Sequence, residues 1–277
     1  MTEPSSMTVS EWLASSESNL KKAGIETARL DALVLLSDEL QKDKSWLLAY
    51  SDYSLQGSEL KKLNTKVAQR ALHTPLAYIR GYVEFYGHEF VVSPAVLVPR
   101  PESESFFELL TSLEPTSYTS IIDVGTGSGA LAISAALLAQ PHDVFATDNS
   151  EGALAIAKFN AKEHAVTVTF APGNLIEPIS DTVLKDSVLL CNLPYVPIGY
   201  SVNKATTHEP DAALFSGPEG LDLYNELFQQ VTARTYKPRY ILTESLGSQH
   251  EAVCTLAHKA GYTESSVEGL VQLFTRD

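Results

Sequence analysis

Basic residues are scarce in this chain: 20 lysines and arginines stand against 34 aspartates and glutamates, a formal net charge of −14 over 277 residues. Binding that rests on neutralising phosphates needs clustered Lys and Arg, so this balance argues against direct contact with nucleic acid and favours a basic protein partner. Cysteine is scarcer still. Cys191 and Cys254 supply neither a disulfide framework nor a zinc-ligand spacing, and a strand cysteine such as Cys191 reads as a small buried hydrophobe. The seven histidines include no His-x-x-x-His pair, so no metal site is expected. No apolar run is long enough to cross a bilayer, and residues 1–6 lack a basic region followed by an apolar core. The expectation is a soluble, cytoplasmic monomer with no membrane association, its 44% hydrophobic content sufficient for one or two packed domains.

What is present divides into three stretches. Residues 1–75 read as a helical domain. Thr8-Val9-Ser10-Glu11 has capping-box spacing, and Gly24 is placed to stop the helix that follows. A second helix carries Leu30, Leu33, Val34, Leu36 and Leu40 on an apolar face, and a third carries Leu60, Leu63, Val67 and Leu72. Trp46, Leu47 and Leu48 suit a short helix between them. The bundle has no obvious chemistry, so its expected role is to hold a partner. Residues 76–102 form a connector in which the hydrophobic period turns towards two over 78–98, broken by Gly81 and Gly87, as in a β-hairpin. It ends in Leu97-Val98-Pro99-Arg100-Pro101-Glu102-Ser103-Glu104, where two prolines stiffen the chain around one arginine and a helix starts near Ser103. Arg100 reads either as a solvated residue of a rigid linker or as a side chain aimed at the active site.

Residues 103–277 alternate strands and helices, the pattern of a sheet covered on both faces. Strands are expected at 120–124, 143–147, 166–170, 187–191, 240–243 and 271–275, with helices at 130–139, 152–163, 220–233 and 250–260. The first strand runs into Gly125-Thr126-Gly127-Ser128-Gly129, a turn in which glycines let the backbone approach a ligand. Its Gly-x-Gly-x-Gly spacing departs from the dinucleotide fingerprint Gly-x-Gly-x-x-Gly. Asp123 beside the loop would repel a pyrophosphate but suits a cationic sulfonium with an ammonium group, which points to S-adenosyl-L-methionine. Asp148 ends the next strand, where an acidic residue can accept two ribose hydroxyls; either aspartate also suits a helix N-cap. Asn174 and Leu175 follow the third strand at the expected adenine edge, where Asn174 can accept from an exocyclic amine and donate to a ring nitrogen, or simply serve a turn.

Asn192-Leu193-Pro194-Tyr195 ends the fourth strand. Such a tetrapeptide suits methylation of a planar amide or amine nitrogen, whose lone pair is delocalised and whose NH2 group must be held by acceptors. Asn192 offers a side-chain oxygen and Leu193 a backbone carbonyl.

Together these motifs closely resemble the HemK/PrmC family, protein glutamine N5-methyltransferases that act on peptide chain release factors. The resemblance covers nearly the whole chain: the helical domain, Gly81-Tyr82-Val83-Glu84-Phe85, the Pro99-Arg100-Pro101 segment, the glycine loop, the tetrapeptide, and Glu209-Pro210 followed by Ala213-Leu214 and Gly217. It implies a seven-stranded Rossmann-like α/β methyltransferase domain preceded by a helical bundle and a β-hairpin connector. It also implies methyl transfer from S-adenosyl-L-methionine to the glutamine of the Gly-Gly-Gln loop of class 1 release factors. By that resemblance Gly125 to Gly129, Asp148, Leu175 and Asn192 contact the cofactor, Asn192 to Tyr195 hold the glutamine with Tyr195 on its amide plane, and Arg100 and Glu209 belong to the substrate side. The chain departs from the family in having Leu193 for the usual proline, Asn174 for the usual aspartate, a glycine three rather than two residues after Glu244, and no Asp-x-x-Gly-x-x-Arg pattern near its end. Three other readings share parts of this pattern: a ribosomal-protein glutamine methyltransferase, an adenine N6 DNA methyltransferase, and a binding module without chemistry. Charge and the absence of a target-recognition domain weigh against the DNA enzyme.

Overall fold

Thr8 and Glu11 cap each other at the start of the helical unit, the Glu11 amide donating to Thr8 Oγ1 at 3.2 Å and the Thr8 amide to Glu11 Oε2 at 2.8 Å. The computed structural model describes residues 6–138 and 142–276. Its first unit runs to Gly81 and includes Asn203–His208, and its second comprises Tyr82–Val202 with the chain from Glu209 onward. The division therefore falls at residue 81 rather than 75, and the hairpin expected as a separate connector belongs to the larger unit.

The first unit contains β1 (Ser6–Thr8), α1 (Val9–Lys22), α2 (Ala28–Leu40), α3 (Lys44–Ala49), β2 (Ser54–Gln56), α4 (Gly57–Ala71) and α5 (Leu76–Arg80), with β1 and β2 paired antiparallel. Trp12, Leu20, Leu35, Leu36, Leu47 and Leu63 are buried together, and the Trp12 indole donates to Asn64 Oδ1 at 3.0 Å, joining α1 to α4. Two expected core residues lie outside: Leu30 is 51% exposed and Leu72 is 73% exposed. The buried stripe of α2 runs through Ala28, Asp31, Ala32, Leu35 and Leu36, which turns Leu30 away. Leu72 follows the last residue of α4, where the chain leaves the helix through His73 at φ 66°. Residues 78–80, expected to be extended, instead belong to α5.

The second unit opens with the hairpin β3 (Tyr82–Phe85) and β4 (His88–Val91), joined by Tyr86 and Gly87 at φ 48° and 75°. Positive φ at both turn residues gives the twist that a two-residue hairpin requires. Then follow α6 (Ser105–Ser112), β5 (Ser120–Val124), α7 (Ala130–Leu138), β6 (Asp143–Asp148), α8 (Glu151–Glu163), β7 (Thr169–Pro172), α9 (Asp181–Leu184), β8 (Val188–Cys191), α10 (Asp222–Ala233), β9 (Tyr240–Glu244), α11 (His250–Lys259), β10 (Thr263–Glu268) and β11 (Val271–Thr275). Residue 139, the expected end of α7, lies outside the described residues.

Seven strands form one sheet in the order β10-β11-β9-β8-β5-β6-β7, parallel except where β11 pairs with β9 and β10. Alternate side chains feed two cores. Ile121, Val188, Leu190 and Leu242 pack with α6 and α7, while Ile122, Leu189, Cys191 and Ile241 pack with α10 and α11. Two strands differ from expectation by more than one residue. β7 starts at Thr169 rather than 166 because Ala165, at φ 53°, and the Val166 amide bonded to Ala161 O at 3.1 Å close the end of α8. β10 was not anticipated, since all six of its residues are exposed and it pairs only with β11, so no apolar alternation marks it.

In the helical unit Arg70 Nε donates to Asp31 Oδ2 at 2.7 Å and Arg70 Nη1 to Thr74 O at 3.1 Å, with the two side chains 12% and 6% exposed. Removing one partner of a buried pair strands the other charge. Asp31→Ala is expected to destabilise this unit by about 3 kcal/mol, read by denaturant unfolding; a change within 0.5 kcal/mol, the scale of an ordinary surface substitution, would show that the pair is solvated in practice.

Candidate active site

Strand order reverses between β5 and β8, and the loops leaving their carboxyl ends stand side by side. That is where an open α/β sheet offers a crevice to a ligand. The loop after β5 is anchored from both sides. Amides of Gly125 and Thr126 each donate to Thr147 O at 2.9 Å, and the Gly127 amide donates to Asp148 Oδ2 at 2.9 Å. Asp123 Oδ2 accepts from Thr126 Oγ1 at 2.6 Å and from the Ala132 amide at 3.1 Å, so one carboxylate oxygen closes the turn and satisfies the first turn of α7. Burial raises the Asp123 carboxyl to about 7, against lowering by Thr126 and the Ala132 amide, and Asp148 adds a further raising effect. Asp123 thus serves loop closure first. The close approach of loop to helix is strict at Gly129, where a Cβ would stand 2.9 Å from Ile133 Cδ1 and 3.1 Å from Ala157 Cβ.

Asn160 completes this anchoring, although no sequence motif marks it. Its Oδ1 accepts from the Val91 amide at 2.9 Å, and its Nδ2 donates to Val91 O at 3.0 Å and Ser128 O at 2.8 Å. One buried amide joins hairpin, α8 and glycine loop. The available signal was an asparagine inside the apolar stripe Ala153, Leu154, Ala157 and Ala161.

The loop after β8 carries the tetrapeptide. Asn192 Nδ2 donates to Ser103 Oγ at 2.8 Å, which leaves its amide oxygen for other donors. Leu193 is 2% exposed and packs on the glycine loop so closely that a Cβ on Gly125 would lie 3.2 Å from Leu193 Cδ2. Tyr195 Oη donates to Glu244 Oε1 at 3.0 Å, and Gln249 Nε2 donates to Tyr195 O at 2.8 Å. Glu244 is buried, and its Oε2 has no hydrogen-bond partner among the described residues. Burial raises its carboxyl, with Ser103, Tyr195 and Asn192 lowering it and Glu102 raising it. The Tyr195 hydroxyl is likewise raised, by burial first and then by Glu244. Cys191 is fully buried and its thiol is pushed up by that burial, so it is a packing residue.

A largely apolar cleft joins these loops. Asp123, Gly125, Thr126, Gly127, Ser128, Asp148, Asn174, Leu175, Asn192, Leu193 and Pro194 all line it. Gly129, Tyr195, Arg100 and Glu209 are not among the lining residues. Arg100 is neither solvated alone nor aimed into the cleft: it pairs with the buried Glu209, whose Oε2 also accepts from the Val98 amide at 3.0 Å. This pair holds Pro99 and Pro210, which do line the cleft together with Phe85, Leu97 and Ser103. One of the two Asn174 Nδ2 hydrogens is taken by Glu226 Oε1. Among the described residues no cluster of three or more His, Cys, Asp or Glu is arranged to hold a metal ion, and no helix is long and apolar enough to cross a membrane.

Residues 11–81 match a family described as PrmC N-terminal domain, and residues 106–207 match one described as ribosomal protein L11 methyltransferase (PrmA). A release factor glutamine methyltransferase of Coxiella burnetii is 35% identical over 242 residues, covering 86% of this chain and 86% of that protein. The protein of the same name from Bacillus subtilis is 32% identical over 278 residues, covering 98% of this chain and 96% of its own length. Among solved structures, the hMettl16 catalytic domain bound to a MAT2A 3′UTR hairpin superposes with a TM-score of 0.55 at 13% identity, over 81% of this chain and 84% of that one, a likeness of fold.

Because Asp123 is favoured in its neutral form by folding, its contribution to stability is complete below its ordinary value of 3.8 and is lost as pH rises towards about 7. Asp123→Asn keeps an acceptor for Thr126 and Ala132 and cannot ionise. Melting temperatures between pH 4 and 7 are therefore expected to fall less steeply in the variant than in the parent, with a residual slope from Glu244. Parallel curves would show that Asp123 does not titrate in this range.

Proposed function

The chain belongs to the release factor glutamine methyltransferase family, and from that premise we propose that it methylates the side-chain amide N5 of the glutamine in the Gly-Gly-Gln loop of class 1 peptide chain release factors, with S-adenosyl-L-methionine as donor. The observation that carries this reading is the amide of Asn192, held by Ser103 so that its oxygen remains an acceptor in a cleft shared with the glycine loop. The cleft suits that donor. No heavy atom comes within 4 Å of where a Cβ on Gly127 would stand, and Asp148, with each oxygen accepting one backbone amide, keeps lone pairs for ribose hydroxyls.

When bound, the cofactor supplies an electrophilic methyl on a sulfonium. The protein's part is to present a poor nucleophile correctly. Asn192 Oδ1 and the Leu193 carbonyl accept the two hydrogens of the substrate NH2, which turns the nitrogen towards the glycine loop and favours charge building on it. Tyr195, its hydroxyl on Glu244 and its carbonyl on Gln249, offers a ring fixed at both ends for the amide plane. No base is required before transfer, because an alkylated amide nitrogen is acidic and yields its proton to water. We assign recognition of the release factor to the helical unit, where Tyr50 and Tyr53 are 53% and 42% exposed, an aromatic residue type enriched at protein interfaces. Release factors act on ribosomes, so a cytoplasmic setting follows from this substrate.

The match of residues 106–207 to a ribosomal protein methyltransferase family motivates one competing substrate. Incubating the full chain with labelled S-adenosyl-L-methionine and, separately, release factor, ribosomal protein and DNA, then locating the methyl by mass spectrometry, decides among them. The expected product is one methyl on the Gly-Gly-Gln glutamine. Asn192→Ala is expected to lower turnover about a thousandfold while retaining part of the cofactor binding; a variant with parental turnover would sink the assignment.

A further inference from the structure

Beyond the tetrapeptide, the other asparagine of the cleft is also held in one orientation, by residues of α10 with no other assigned role. Asn174 lies in the loop after β7, opposite Glu226 and Gln230, which are four residues apart on α10 and so share one face. The orientation of the whole network is set by a backbone group. The Ile176 amide, which can only donate, gives its hydrogen to Gln230 Oε1 at 3.2 Å. Gln230 is thereby turned with its NH2 towards Glu226, and Gln230 Nε2 donates to Glu226 Oε1 at 3.3 Å. A carboxylate accepts only, so the group that Asn174 directs at the same oxygen must be its own NH2. The amide oxygen of Asn174 is thereby fixed as an acceptor, on a residue that lines the cleft and keeps its second N–H as a donor.

We propose that Glu226, acting through Asn174, makes this cleft select a 6-aminopurine nucleoside over its 6-oxo counterpart. The inference rests on the cofactor reading above. An acceptor at the purine edge receives a hydrogen from a 6-amino group but faces a 6-oxo group oxygen to oxygen, and unpaired buried acceptors discriminate strongly. An aspartate at position 174 would present an acceptor whatever its neighbour. An asparagine is ambiguous, and Glu226 removes the ambiguity. Glu226 is a positioning residue in this scheme and touches no ligand itself.

The test is calorimetric binding of S-adenosylhomocysteine and S-inosylhomocysteine to the full chain, with no turnover involved. The parent is expected to prefer the adenosine compound on the order of a hundredfold. Glu226→Leu keeps roughly the same volume but offers Asn174 no acceptor, which frees that amide to turn over, and the preference is expected to fall about tenfold or more. Adding Asn174→Asp to that variant restores an acceptor whatever its neighbour and is expected to restore the preference. A role for Glu226 in packing alone would weaken both compounds alike and would not be rescued in this way. A preference unchanged within twofold in Glu226→Leu, or one not recovered in the double variant, overturns the inference while the cofactor reading stands. Failure of the parent to bind S-adenosylhomocysteine overturns both.

Discussion

Parallel strands must be joined by crossovers of one hand, and the chain here crosses in two directions from the middle of its sheet. From β5 it moves outward through α7 and α8 to β6 and β7; from β8 it moves the other way through α10 and α11. The two sets of helices consequently cover opposite faces, as the two separate cores record. At the carboxyl edge between β5 and β8 neither set can close over the strand ends. The glycine loop and the tetrapeptide are both placed by that reversal. It brings Gly125 against Leu193, although 68 positions separate them in the chain, and leaves one cleft for two motifs.

A cleft of this kind needs polar atoms fixed in direction as well as in place. Amides are suited to the task because each carries an acceptor and two donors in one plane, but a free amide can turn over. In this protein the choice is made by neighbours. Ser103 takes the NH2 of Asn192, Glu226 takes that of Asn174, and the carbonyls of Val91 and Ser128 take that of Asn160. The carboxylates act in the same spirit: Glu209 holds Val98 and Arg100, Glu104 receives the Tyr86 amide at 2.9 Å, and Asp123 draws the glycine turn onto α7. Several acidic residues that weigh on the net charge are thus fastenings around the site rather than surface charge.

This explains which parts of the structure were legible in the sequence. β5 and β11 fall at the expected bounds, and the glycine loop and tetrapeptide were visible because their backbone needs leave few residue choices. Burial that depends on a distant partner left no local trace. Leu30 looks core-forming, but the buried face of α2 includes Asp31, paired with Arg70 39 positions later, and Arg100 looks free until Glu209, 109 positions later, reaches it. β10 is exposed on every residue and owes its conformation to β11 alone. The loop order of the cleft could be read; the pairing of polar side chains behind it could not, since hydrogen bonds between elements obey no sequence period.

Leu193 illustrates how such pairing absorbs a departure from the family pattern. A proline at this position would stiffen the backbone from within and carry no N–H. Leucine surrenders the ring but gains an N–H donor. Burial raises the Tyr224 hydroxyl most, and the Leu193 amide opposes the effect. The one hydrogen of the Tyr224 hydroxyl is shared between Cys191 O, at 3.0 Å, and Glu244 O, tying the ends of β8 and β9 together. The leucine side chain, pressed on Gly125, supplies a second constraint. Rigidity that a ring would provide locally is provided here by contacts on either side, so the carbonyl that follows Asn192 keeps a fixed direction without the proline.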